Sequence, residues 1–304
     1  MQPPYSELSS NILRTVAYFD IFDYPLTAEQ IFFFLHVPST SAEETSAEVE
    51  MLVMNGVLAK EKGYFFLAAS NNTIVEKRIA NEARAKRMLS YARHIAAFIK
   101  RFPFIRGIFI TGSLSKNVAA VSSDIDFMIV TAPGRLWVSK TFLTLFRKIF
   151  LLGKSKYFCT NFYLSENGLP LNQRNFYTAI EVVTTKAIWN ERLFLRFQKE
   201  NGWTRTFFPN ASVMIDTSLL ISDSRSLLQY IAEFVLNILP LTTVDSFLMD
   251  SFHAHWKRVF KHLQQEQIDT RFIISPDISS NWPDDRQEPI LREYREKLTV
   301  LGLE

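Results

Sequence analysis

The chain of 304 residues has a single cysteine, Cys159, which excludes an intrachain disulfide and suits a reducing compartment. Cys159 stands in an apolar strand pattern, where a buried and inert thiol is expected. No uninterrupted apolar run reaches the length needed to cross a bilayer. The nearest, 227–239, contains Glu233 and is followed by Pro240. Met1 to Ser10 is polar and Pro-containing, without the apolar stretch of a secretory signal. These absences lead to the expectation of a soluble, cytoplasmic protein without a membrane partner. A zinc motif is also missing. His255, Arg258 and His262 share one helical face, but no acid or cysteine completes a ligand set.

Lys and Arg are absent between Arg14 and Lys60. Residues 1–75 carry 9 acids and 3 bases, whereas residues 76–154 carry 15 bases and 4 acids. The remainder is nearly balanced, with 16 bases and 18 acids, and the whole chain is +3. A hydrophobic content of 47%, with 27 Phe, is enough for a large aromatic core. The length allows two or three domains.

Apolar spacing predicts a helix over Ser10–Phe19 (Ile12, Leu13, Val16, Phe19). Thr27-Ala-Glu-Gln30 and Ser41-Ala-Glu-Glu44 are capping-box patterns that open two more helices, the last ending at Asn55-Gly56. Lys62-Gly63 then turns a hairpin. Three helices and a hairpin make a winged-helix-like unit over residues 1–70. Its third helix carries Glu43, Glu44, Glu48 and Glu50, which would repel a phosphate backbone. DNA is therefore an unexpected partner, and a structural or protein-docking role is expected instead.

One long helix is predicted over residues 72–101, with a basic face. Another is predicted over Leu136–Leu152, packed on a sheet and with Arg135, Lys140, Arg147 and Lys148 on its basic side. Lys156–Ser165 reads as a strand, Asn175–Trp189 and Leu193–Lys199 as helices, and 224–264 as two helices divided at Pro240. Ser275–Glu288 reads as a polar loop and Pro289–Leu301 as a closing helix. These patterns divide the chain at 71–215 and 216–304, the latter a helical region.

The densest chemistry lies in Gly107–Val130, GIFITGSLSKNVAAVSSDIDFMIV. It reads as strand, Gly-Ser turn, short helix, loop and strand. Asp124 and Asp126 are two residues apart, so on a strand they share a face. Paired carboxylates stay ionised beside a cation, and Mg²⁺ (or Mn²⁺) binds through one or two carboxylates plus substrate phosphates. Backbone N–H groups after Gly112 and the Ser113 hydroxyl suit phosphate oxygens. Ser115, Lys116 and Ser123 join them as expected nucleotide contacts. The basic block 76–154 surrounds this stretch, as a polyphosphate site would require.

Ten residues, 114–123, separate Gly112-Ser113 from Asp124. Here the chain resembles the polymerase-β-like nucleotidyltransferase superfamily, whose signature is Gly-Ser, about ten residues, then Asp-x-Asp. Thr178-Ala-Ile-Glu181, Asn201-Gly-Trp203 and Phe208-Pro-Asn210 are similar to segments of uncharacterised bacterial nucleotidyltransferase-domain proteins with an N-terminal winged helix. The resemblance implies an α+β nucleotidyltransferase fold, a small mixed sheet flanked by helices. It also implies transfer of a nucleoside monophosphate, AMP from ATP first, to a hydroxyl on a small molecule, protein or RNA. Asp124 and Asp126 would be the catalytic metal ligands. The superfamily's third acid usually stands on the neighbouring strand, and the aligned residue here is Asn161, expected as a further nucleotide contact. Three readings stay open: a single metal suffices, Glu166 or Glu181 acts as base, or the site binds nucleotide without turnover.

Overall fold

A computed structural model describes residues 5–38, 41–71, 73–152, 156–261, 272–281 and 287–303. It is an α+β structure built on a six-stranded mixed sheet flanked by helices. Its N-terminal part comprises α1 (Glu7–Asp20), α2 (Ala28–Phe33), α3 (Ala42–Met54) and a hairpin of β1 (Leu58–Glu61) and β2 (Tyr64–Leu67). Both predicted capping boxes form, Thr27 with Gln30 and Ser41 with Glu44. Gly56 and Gly63 take positive φ at the stop and the hairpin turn, where a Cβ would be strained.

The 26-residue helix α4 (Ile74–Ile99) leads into β3 (Ile105–Ile110), the one-turn helix α5 (Gly112–Ser115) and β4 (Asp126–Thr131). The crossover helix α6 (Leu136–Phe150) returns the chain to β5 (Cys159–Ser165), parallel to β4. Next come α7 (Phe176–Thr184), β6 (Lys186–Trp189), α8 (Glu191–Glu200) and a 3₁₀ turn at Gly202–Thr206. The last elements are α9 (Leu227–Leu236), α10 (Leu241–Val259), β7 (Phe272–Ile274), β8 (Ile278–Asn281) and α11 (Gln287–Val300). The strand order is β6-β3-β4-β5-β8-β7, and β4/β5 is the parallel pair.

Alternation along the central strands splits the core into two layers. Ile108, Ile110, Phe127, Ile129 and Tyr163 pack on one face with Met88, Ala92 and Ile99 of α4 and with Trp137 and Leu143 of α6. Phe109, Met128, Val130 and Leu164 pack on the other with Leu193, Phe194 and Phe197 of α8. A third cluster joins α1–α3 to Ala179 and Ile180 of α7, to Phe208, and to Tyr294 and Leu298 of α11. The C-terminal residues thus serve two places, the sheet edge and the N-terminal helices.

Three expectations are corrected. Asn175–Trp189 is not one helix: it breaks after Thr184, and Lys186–Trp189 pairs with the free edge of β3. A run as short as Ala187-Ile188-Trp189 reads equally as helix or buried strand, and the open edge decided it. The 216–304 region is not wholly helical, since β7 and β8 fall in and beside the expected loop and extend the sheet through β5. Lys140 does not lie on an exposed basic side. It shares the buried stripe of Leu136, Trp137 and Leu143, and its Nζ donates to Ser279 Oγ at 2.6 Å. The rings of Trp137, Tyr163, Phe252 and Trp256 face it at 4.4 to 5.3 Å. His262 lies outside the described residues.

Candidate functional site

The candidate site forms where β3 ends and β4 begins. Ile110 ends the first strand and Gly112 turns the chain with φ +67°. A Cβ built on Gly112 would meet Asp126 Oδ2 at 2.6 Å. Glycine is thus required twice, by the left-handed backbone and by the carboxylate pressed against it. Thr111 N–H donates to the Asp126 carbonyl at 3.1 Å, which pins the Gly-Ser turn to the start of β4.

Asp126 opens β4, whereas Asp124 lies just before it. The segment is already sheet-like. Ile125 N–H donates to the Lys156 carbonyl, and its own carbonyl accepts from Cys159 N–H. Ile125 is fully buried with Phe127 and Ile129, which leaves Asp124 and Asp126, both half-buried, to the opposite side.

The neighbouring strand puts Cys159, two residues before Asn161, in register with Asp126. A register shift in β4/β5 follows, with Met128 opposite Phe162. Asn161 Nδ2 donates to Cys159 Sγ at 2.9 Å. Burial first, and then the neighbouring Asp126 carboxylate, push the Cys159 thiol far above its ordinary range. A protonated thiol is a poor ligand for Mg²⁺, which prefers oxygen.

The Gly-Ser loop is held from several sides. Ser113 Oγ reaches Ser123 Oγ at 3.4 Å, and Ser123 Oγ accepts from Ala120 N–H at 2.8 Å. Ser115 is buried, donating to the Gly112 carbonyl at 2.8 Å and standing 3.4 Å from Thr184 Oγ1. Its hydroxyl is engaged inside the turn. Lys116 Nζ donates to the Gly112 carbonyl at 3.3 Å and to Glu181 Oε1 at 2.7 Å. Helix α5 spans four residues, so its dipole is small. Any anion held here rests on local N–H groups and on Lys116.

Side chains from other elements hold the loop, and of these sequence reasoning singled out only the basic face of α4 that carries Arg84. Lys186 of β6 donates to Asn117 Oδ1 at 2.6 Å, and burial lowers its pKa, opposed by Asp216. Arg84 of α4 donates to the Ala119 carbonyl, and Lys156 to the Val121 carbonyl. Tyr24, from the N-terminal region, donates to the Lys116 carbonyl at 2.7 Å. All four residues are distant in sequence from the loop, and no local pattern marks them as its partners.

The two candidate bases now separate. Glu166 follows the far end of β5, while Cys159 marks the site end of the same strand. At about 3.3 Å per residue the strand spans roughly 20 Å, too far for proton transfer. Glu181 is tied through Lys116 to the Gly112 turn. Among the described residues no three metal-capable side chains form a cluster. Two carboxylates without a third suit a divalent ion that arrives with a polyphosphate. No protein-family model, curated protein or solved structure matches the chain.

Proposed function

We propose that the chain transfers a nucleoside monophosphate from an NTP, ATP first, to a hydroxyl acceptor, on a nucleotidyltransferase-type site. One observation carries this reading. The glycine of the Gly-Ser turn is packed against the Asp126 carboxylate so closely that a methyl group would not fit. A backbone suited to phosphate and a carboxylate suited to a cation therefore share one small space.

Asp124 and Asp126 are the residues that would hold Mg²⁺, which supplies charge neutralisation at the phosphate oxygens. Ser113 and the N–H groups after Gly112 bind the polyphosphate. Lys116 and Lys186 set the positive potential beside it, Lys116 moving between Glu181 and a phosphate oxygen. The acceptor oxygen attacks the α-phosphorus, the bond to the β-phosphate oxygen breaks, and pyrophosphate leaves. Glu181 takes the acceptor's proton; Asn161, an amide, is unsuited to that role. The N-terminal helices and hairpin follow the order of a winged helix, and the acids on α3 favour a protein contact over DNA.

A second reading has its own observation: β5 offers Cys159, with the Asn161 amide on its thiol, where a third carboxylate is expected. It makes the chain a nucleotide-binding module without turnover. Incubation of the pure protein with α-labelled NTPs, Mg²⁺ and a cell extract separates the two. Label transfer with pyrophosphate release is expected. Nucleotide binding without either outcome establishes the second reading. Asp124→Asn and Asp126→Asn should each weaken metal-dependent NTP binding by more than about 100-fold, since loss of an outer-shell partner alone costs 10- to 100-fold. Unchanged binding would remove the site assignment.

A further inference from the structure

Helix α9 is inverted relative to an ordinary surface helix. Its polar residues Gln229 and Glu233 are buried. Gln229 Nε2 donates to the carbonyls of Phe102 and Ile105 at 3.1 and 3.0 Å. Glu233 accepts from Phe104 N–H at 2.7 Å, from both Arg106 Nη atoms at 2.8 and 3.0 Å, and pairs with Arg225. This polar face is fully engaged, so the helix cannot roll over to bury its other side without breaking it. On that other side Leu227, Leu228, Ile231, Phe234, Val235 and Ile238 each expose more than half their surface. Tyr230 and Leu239 are also more than half exposed. At 3.6 residues per turn the exposed positions within α9, from Tyr230 to Leu228, cover an arc of about 160°, and Ile238 and Leu239 follow its end.

The arc is too wide for the narrow stripe that one helix presses against another. It suits immersion in a fluid apolar phase. The border is basic. Lys100 Nζ donates to the Ser222 and Ser224 carbonyls at 2.8 and 3.1 Å, on the loop that enters α9. Arg101 is exposed between Lys100 and Phe102, whose carbonyl anchors Gln229. Arg135 reaches Thr242 Oγ1 at 3.4 Å, just past Pro240. Asp223 beside Lys100 and the buried Asp245 beside Arg135 are acids on this border. Among the described residues no single helix is long and apolar enough to cross a membrane, and α9 with α10 meets that test only as a pair bent by 91°. A short apolar helix with cationic margins, too short to span, lies in the plane of an anionic interface.

We propose that α9 docks the protein on an anionic lipid surface, with Lys100, Arg101 and Arg135 toward the headgroups. The helix rests over Ile105, where β3 starts, and the Gly112 turn lies past the other end of that strand. The candidate site is therefore roughly 20 Å away along β3. The proposal does not depend on the transferase reading.

The test is flotation of the full chain through a density gradient, which separates lipid-bound protein from aggregates. Vesicles of phosphatidylcholine with and without phosphatidylserine are compared at low and high salt. Protein should float with the anionic vesicles and be released by salt. The double variant Ile231→Glu/Phe234→Glu changes solvent-facing positions and should float at least about 10-fold less, with its circular dichroism unchanged. Arg101→Glu, on the border alone, should lower flotation by about fivefold. No flotation, or equal flotation on neutral vesicles, overturns the proposal. So does a dimer in light scattering that Ile231→Glu/Phe234→Glu converts to monomer without any lipid binding, since α9 would then meet a second copy of the chain.

Discussion

Gly112 is the residue on which the candidate site turns. Its positive φ and its contact with Asp126 both forbid a side chain. Gly112→Ala should cost on the order of 1–3 kcal/mol in stability, read as a lowered Tm. On the proposed function it should also displace the Asp126 carboxylate and abolish any rise in Tm on adding Mg-NTP to the wild type. A variant that keeps both would show the close approach to be unimportant. The spacing of Asp124 and Asp126 was legible in the sequence, because strand alternation is a local property. The residue opposite them was not, because a register shift in β4/β5 replaced Asn161 by Cys159. Register belongs to two strands at once, and only pairing reveals it.

At the scale of elements, α6 shows how burial overrides charge. Lys140 lies on the apolar stripe because 136, 137, 140 and 143 share a face at helical spacing. Burial first, with Arg147 adding to it, brings the Lys140 pKa from 10.5 down to about 7, while four ring faces favour the ammonium. Between pH 7 and 10.5 the unfolded chain holds a proton there that the folded chain does not. Stability therefore rises with pH across that window, and the cost is full below it. Lys140→Met should remove this rise and stabilise the protein at pH 6 by on the order of 2–4 kcal/mol. Denaturant melts at several pH values check it, and a destabilised variant would contradict it. Helix α9 is the opposite case, with polar groups inward and apolar groups outward. Its composition alone predicts a helix without saying which side faces solvent.

Across the whole molecule, the N-terminal helices reach the site and the core beneath it. Tyr24 donates to the Lys116 carbonyl, accepts from Gln30 Nε2 at 3.3 Å, and stacks under the Arg78 guanidinium at 3.5 Å. Tyr24→Phe should cost about 1 kcal/mol and weaken NTP binding several-fold while leaving circular dichroism unchanged. Equal binding by both proteins would separate the N-terminal region from the site. His36 joins the same region to Phe176 and Phe208. Burial, assisted by Arg14, lowers its pKa from 6.5 to about 4. Below pH 6.5 the unfolded chain gains a proton that the folded chain refuses until about 4, so stability falls with acidification across that window. The loss should reach roughly 3 kcal/mol, and His36→Phe should flatten it in melts taken from pH 7 to 4.

The sequence by itself determined the helix caps, the hairpin turn, the Gly-Ser turn and the Asp-x-Asp spacing. Each depends on residues within a few positions of one another. Tertiary structure alone decided that 186–189 is a strand, that 272–281 extends the sheet, and that Cys159 faces Asp126. It also brought Tyr24, Arg84, Glu181 and Lys186 to the loop between Gly112 and Asp124. Strand pairing, and contacts between residues far apart in the chain, carry no local periodicity, so only the folded chain can show them.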